Sequence, residues 1–226
     1  MDIKIPYTPR KHQSYLHKQI DKNRWSVLVC HRRFGKTVCM INHLIRSALL
    51  SKLKNPRFAY IAPTFKQAKS IAWDYMKQFT DKIPYIKFNE TELRVDLPNG
   101  ARITLLGSDS PDGLRGIYLD GCVIDEYANV NSKLFPEIIR PALSDRKGYC
   151  VFIGTPAGMN NNFYELYQHA NGAEDWFNYK AKASETKIVD EDELVKAKEV
   201  MGEKKYNQEF ECDWIANIEG AVFGDV

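Results

Sequence analysis

WSVLVCHRRFGKT, residues 25–37, is the stretch that decides the fold. Trp25–Cys30 is a short run of apolar and β-branched residues, the composition of a buried strand. Thr37–Leu50 follows with Val38, Ile41, Ile45 and Ala48 at helical spacing. Between them lies Cys30-His31-Arg32-Arg33-Phe34-Gly35-Lys36-Thr37, and a loop held between a strand and a helix is what phosphate binding requires. Backbone N–H groups at the helix N-terminus cradle anionic oxygens, Lys36 reaches the β- and γ-phosphates of ATP, and Thr37 ligates Mg²⁺. The loop departs from GxxxxGK[ST] at one place, where Cys30 replaces the first glycine.

Two further strand ends carry chemistry. Cys122-Val123-Ile124-Asp125-Glu126 is an apolar strand closing on two carboxylates, the form of a Walker B segment. Asp125 is then the metal holder and Glu126 the base that orients and deprotonates the attacking water. Val151-Phe152-Ile153-Gly154-Thr155-Pro156 is a buried strand ending in a Gly-Thr-Pro turn, which is either a γ-phosphate sensor that couples hydrolysis to a nucleic-acid grip or a plain turn.

Outward from these motifs, Phe58–Ala62, Pro63 and Phe65–Phe79 form a second strand–helix unit, with Ala68, Ile71, Ala72, Tyr75 and Phe79 on one helical face. Repeated units of this kind predict an α/β domain with a mainly parallel sheet covered on both faces. Glu92–Asp96 and Ala101–Leu106 flank Leu97-Pro98-Asn99-Gly100, whose Asn-Gly predicts a hairpin and hence an antiparallel insertion. Gly107–Gly116 reads as a loop, and Gly121–Ile124 and Tyr149–Ile153 as short buried strands. Asp190–Met201 and Glu203–Phe210 are charged amphipathic helices that predict a small lid or docking surface.

Composition narrows the class. With 226 residues, 44% apolar and 27% charged, the chain suits one folded α/β domain and excludes a mainly disordered or fibrous one. No apolar run is long enough to span a bilayer and Met1–Arg10 lacks a signal-peptide core, so the expected place is the cytosol, with no membrane partner. Cys30, Cys39, Cys122, Cys150 and Cys212 form no CxxC pair and read as reduced core thiols. The five histidines show no metal-ligand spacing. A net charge of +3 does not announce a nucleic-acid binder, so any DNA grip must come from a local basic lining or from several copies acting together.

Five segments together resemble the large terminase subunit of tailed bacteriophages: HRRFGKT (31–37), APTFKQA (62–68), CVIDEYA (122–128), RPALSD (140–145) and FIGTPAG (152–158). The resemblance implies a P-loop NTPase fold of the ASCE, RecA-like kind, with the strand near Tyr149–Ile153 between the P-loop and Walker B strands and a small C-terminal helical lid. It implies ATP hydrolysis that drives double-stranded viral DNA into a procapsid, with portal protein and small terminase subunit as partners, in the cytoplasm of the bacterial host. A homo-oligomeric ring is expected on the portal, with a monomer as the alternative for the isolated domain. Carried onto this chain, Lys36 and Thr37 are phosphate and metal contacts, Asp125 and Glu126 metal holder and base, and Gly154, Thr155 and Pro156 the coupling motif. Gln13, with Arg10 beside it, is placed like the family's adenine-reading glutamine or is an ordinary helix start. Lys66 and Lys69 are similar to DNA-gripping residues of related translocases or belong to a solvated helix face. For the arginine finger, Arg32, Arg33, Arg115 and Arg140 compete; the Leu114-Arg115-Gly116 position resembles the arginine offered to a neighbouring subunit, and Arg32 is the candidate in cis.

The resulting division is an ATPase domain over residues 1–220 with a lid-like region over about 176–215. Residues 221–226 then begin a linker towards a nuclease domain that nothing after Gly220 supplies, so no DNA cleavage is expected. Two other readings stay open: a helicase-like or repair ATPase, and an assembly module that binds ATP without turnover.

Overall fold

The computed structural model describes residues 4–109 and 111–215. The linker expected at residues 221–226 lies outside them. In chain order the elements begin with α1 (Lys11–Ile20), β1 (Trp25–Cys30), α2 (Lys36–Leu50) and β2 (Arg57–Ala62). Two helical pieces, α3 (Phe65–Gln67) and α4 (Trp73–Thr80), are joined by a π-turn over Ala68–Ala72. Then come β3 (Lys87–Asn89), β4 (Arg94–Asp96), β5 (Arg102–Gly107) and β6 (Gly121–Asp125). The chain continues through α5 (Arg140–Ala142), β7 (Tyr149–Gly154), α6 (Asn162–Ala170) and β8 (Trp176–Ala181), and closes with α7 (Ala183–Thr186), α8 (Glu191–Met201) and α9 (Glu203–Phe210).

One sheet of order β3-β4-β5-β2-β6-β7-β1-β8 organises the molecule. From β5 to β8 every neighbouring pair is parallel, and β3, β4 and β5 pair antiparallel. The strand ending in Gly154 lies between the P-loop strand β1 and the carboxylate strand β6, as the resemblance implied. Each residue of β1 and of β6 is buried, the pattern of strands covered on both faces. On one face β1, β6 and β7 pack with α2 and α4 through Leu28, Val123, Val151, Ile41 and Met76. On the other, Val27, Ile124 and Phe152 pack with Leu143 and with Phe163 of α6.

Three expectations change. The hairpin at Leu97–Gly100 forms, but β5 is more than an insertion, because it also pairs parallel with β2 and so belongs to the main sheet. Residues 176–181, read as the start of the lid, instead form β8, paired with β1 from Trp25↔Trp176 to Cys30↔Ala181. Trp-Phe-Asn-Tyr-Lys-Ala has no apolar run because an edge strand is only half covered. Finally, Ile71 is 50% exposed rather than on the core face. The π-turn adds a residue to that turn and hands the buried positions to Trp73 and Met76.

The five cysteines are free and buried. The helical lid has a small core of its own, formed by Ala183, Leu194 and Phe210. Among the described residues, no helix is long and apolar enough to cross a membrane.

Candidate active site

Parallel packing brings the C-terminal ends of β1, β6 and β7 side by side, which is where open α/β sheets bind ligands. The chain leaves β1 at Cys30 and enters α2 at Lys36, with Gly35 as the helix cap at φ +88°. A side chain there would be strained in the left-handed region, and its Cβ would lie 2.9 Å from Gln13 Nε2. Behind the loop, Gln13 Nε2 donates to Gly35 O at 3.3 Å and Arg10 Nη1 to Phe34 O at 3.3 Å. Gln13 Oε1 accepts from the Arg10 N–H at 2.9 Å. The two residues expected near adenine thus brace the loop backbone. Phe34 is fully buried, and Cys30 turns its thiol into the core, where burial pushes it far above its ordinary pKa.

His31 ties the loop to the end of β8 and to α7. Its N–H donates to Ala181 O at 3.0 Å, and Nε2 lies 2.8 Å from Thr186 Oγ1. Burial lowers the imidazole pKa, which keeps it neutral for these contacts. Lys36 Nζ donates to Cys30 O at 3.3 Å and stands 3.9 Å from Glu126 Oε1.

Asp125 ends β6 with both oxygens engaged: Oδ1 accepts from the Glu126 N–H at 2.9 Å and Oδ2 from the Tyr60 hydroxyl. Glu126 turns sharply at φ +45°, an uncommon conformation for a residue with a side chain. The turn aims its carboxylate at Lys36 and Thr155, whose Oγ1 lies 3.5 Å from Glu126 Oε2. Gly154 packs close beneath this turn: a Cβ on it would stand 3.2 Å from the Phe163 ring and 3.4 Å from Glu126 Cα. Burial raises the pKa of both carboxyls, opposed at Asp125 by the Tyr60 hydrogen bond and at Glu126 by the Lys36 charge. A glutamate so raised is better matched to taking a proton near neutral pH.

These groups open onto a cleft of about 460 Å³, lined by Arg32, Lys36, Glu126 and Thr155 with Lys205 and Glu209 of α9. Two hydrogen bonds hold α9 over it: the Arg32 N–H donates to Glu209 O at 2.7 Å and Gln208 Nε2 to Pro156 O at 2.7 Å. The Arg32 guanidinium is 3.8 Å from the Glu209 carboxylate, which also accepts Lys205 at 2.8 Å. A larger cavity of about 830 Å³, bordered by Tyr7, His17, Asn42 and Arg46, lies along α1 and α2. Neither Lys36 nor Glu126 lines it, whereas both line the smaller cleft.

The remaining candidates fall outside the cleft. Arg33 is exposed at φ +70°. Arg115 is exposed in the loop after Pro111–Leu114. Arg140 stacks on the Trp25 ring at 5.0 Å, at the far end of β1 from the loop. Lys66 and Lys69 are exposed on α3 and the π-turn, just beyond the end of β2. Tyr60, Lys205, Gln208 and Glu209 were missed by sequence reasoning. The alternation of β2 puts Tyr60 on the α2 face, but its reach to Asp125 depends on the register between β2 and β6.

The family described as "Terminase large subunit, T4likevirus-type, N-terminal" matches residues 29–224. The terminase large subunits of Thermus phage G20c and Thermus virus P23-45 are 31% and 30% identical over 182 residues, 72% of this chain and 36% of each relative. The chain therefore spans little more than a third of the length of these relatives. Among solved structures, the Thermus phage P74-26 large terminase ATPase domain superposes with a TM-score of 0.78 at 20% identity, over 93% of this chain and 96% of that one. The large terminase of another thermophilic bacteriophage, in complex with ADP, gives 0.77 at 15% identity, over 91% of this chain and 53% of that one. The fold is shared with both, and the match across residues 29–224 shows that this chain belongs to the terminase large-subunit family.

Proposed function

We propose that this chain is an ATP-hydrolysing motor domain that powers translocation of double-stranded viral DNA into a procapsid. The observation that carries the reading is the convergence of Lys36, Glu126 and Thr155, from a phosphate-binding loop and two strand ends, on one cleft closed by α9. Relatives of the same fold in complex with ADP and with ATP-gamma-S support a nucleotide as the occupant.

In this reading the N–H groups at the start of α2 receive the phosphates, and Lys36 exchanges Cys30 O for the β- and γ-oxygens. Thr37 and Asp125 offer a hydroxyl and a buried carboxylate, the hard oxygen donors that suit Mg²⁺. Bound there with the nucleotide, the metal supplies charge neutralisation on the transferring phosphoryl group. Glu126 orients the attacking water and takes its proton, while Thr155 fixes the carboxylate and Pro156 passes the state of the site to α9 through Gln208. Gln13 and Arg10 serve the nucleotide by bracing the loop. DNA, with Lys66 and Lys69 as candidate contacts, and the portal and small terminase subunit are the proposed partners in the host cytoplasm.

Phosphate release measured with and without DNA tests the proposal. Release stimulated by double-stranded DNA is the expected result. Nucleotide binding with no release under any condition would make the chain an assembly module, and stimulation by single strands alone would favour a helicase-like enzyme. Glu126→Gln should keep MgATP binding while turnover falls by about 10² to 10⁴, the effect of losing a general base. Equal loss of binding and turnover would make Glu126 a structural residue or metal ligand instead.

We also expect this chain alone to leave plasmid DNA intact with Mg²⁺ or Mn²⁺, because cleavage by two metals needs clustered acidic ligands. Among the described residues, no group of three or more His, Cys, Asp or Glu is placed to hold a metal ion. Cleavage that co-purifies with the protein and survives controls would overturn this.

A further inference from the structure

Tyr60 belongs to none of the motifs above, yet it sits at their centre. It lies on β2 with 1% exposure, and its hydroxyl donates to Asp125 Oδ2. Asp125 Oδ1 is held by the Glu126 N–H at 2.9 Å. A carboxylate offers about four lone-pair sites. Two protein donors, one on each oxygen, therefore fix the plane of the group and leave a lone pair on each oxygen open. Phenylalanine would fill nearly the same volume, and a buried hydroxyl costs free energy unless it is bonded. What the hydroxyl adds is a hydrogen bond to Asp125 of β6, made from the strand alongside.

We propose that Tyr60 is a positioning residue for the magnesium site, holding the Asp125 carboxylate in one orientation. This rests on the nucleotide-hydrolysis reading above. Hydrogen bonds that orient a metal-site carboxylate are worth about 10- to 100-fold in metal affinity. A cavity of about 40 Å³ lined by Tyr60, Gln67, Asp125 and Glu126 adjoins this contact, large enough and polar enough for one water. In Tyr60→Phe such a water can replace the lost donor on Asp125, but a mobile water does not hold the carboxylate plane.

The test is Mn²⁺ binding to the full chain with ADP, followed by electron paramagnetic resonance. Tyr60→Phe should lower Mn²⁺ affinity by about 10- to 100-fold, with binding of fluorescent ADP in EDTA unchanged. The Mg²⁺ concentration for half-maximal phosphate release should rise by the same factor. Unchanged Mn²⁺ affinity in a folded Tyr60→Phe protein would overturn the proposal. A second measurement does not depend on that variant folding: with 3-fluorotyrosine placed at position 60, the ¹⁹F resonance should shift when Mg²⁺ is added to the ADP complex. No shift there overturns the positioning role. Failure of the wild-type chain to bind ADP at all would instead overturn the nucleotide reading on which it rests.

Discussion

Lys36→Ala is expected to lose nucleotide binding or nearly all turnover, the largest effect of any single substitution in this chain. Lys36 stands at the start of α2, where its ammonium bridges Cys30 O and Glu126 across the mouth of the loop. The neighbouring arginines do not take its place. Arg32 faces Glu209, and Arg33 projects outward from a left-handed backbone position. Removing the ammonium also removes the cation that opposes the rise in the Asp125 and Glu126 pKa values, so both carboxyls should titrate higher still. The loss therefore combines a missing phosphate contact with a base whose pKa is raised further. Titration with a fluorescent ATP analogue, together with phosphate release, separates the two contributions. Hydrolysis at the wild-type rate would remove the phosphate-binding assignment.

Arg115→Ala should leave ATP binding intact and lower turnover by roughly 10³ to 10⁵, the range for an arginine delivered to the transferring phosphoryl group. Arg115 does not line the cleft of its own chain, whereas Arg32 does. We propose that Arg115, exposed on a loop outside its own cleft, serves a neighbour's; Gly116 at φ +78° follows it immediately. Arg115→Ala and Glu126→Gln proteins, each inactive alone, should then recover some hydrolysis when mixed under ring-forming conditions. Each mixed interface can pair an intact base with an intact finger from next door. If verified mixed rings show no recovery, and Arg32→Ala abolishes turnover with binding intact, the finger acts in cis from Arg32.

How much of this was legible beforehand depended on how local the signal is. Trp25–Cys30, Gly121–Asp125 and Tyr149–Gly154 are buried on both faces, so continuous apolar runs betrayed them without any knowledge of their neighbours. β8 is half covered, and its aromatic and polar residues match a strand only once β1 lies beside it. The face of α3 and α4 was misread at Ile71 because a π-turn changes the helical count, and nothing in Ala-Lys-Ser-Ile-Ala announces it.

By itself the sequence determined that Lys36, Thr37, Asp125, Glu126 and Thr155 stand at strand and helix ends. Their positions follow from local periodicity, and the alternation of strands and helices fixes that such ends gather at one edge of a parallel sheet. Only the tertiary structure decided what meets them there. Tyr60 reaches Asp125 because β2 lies next to β6, Gln13 braces Gly35 because α1 crosses behind the loop, and Glu209 faces Arg32 because α9 folds back over the cleft. These contacts join residues 65, 22 and 177 positions apart. Closing such separations is driven by burial of two apolar faces of the sheet, a property of the whole chain that no short segment carries.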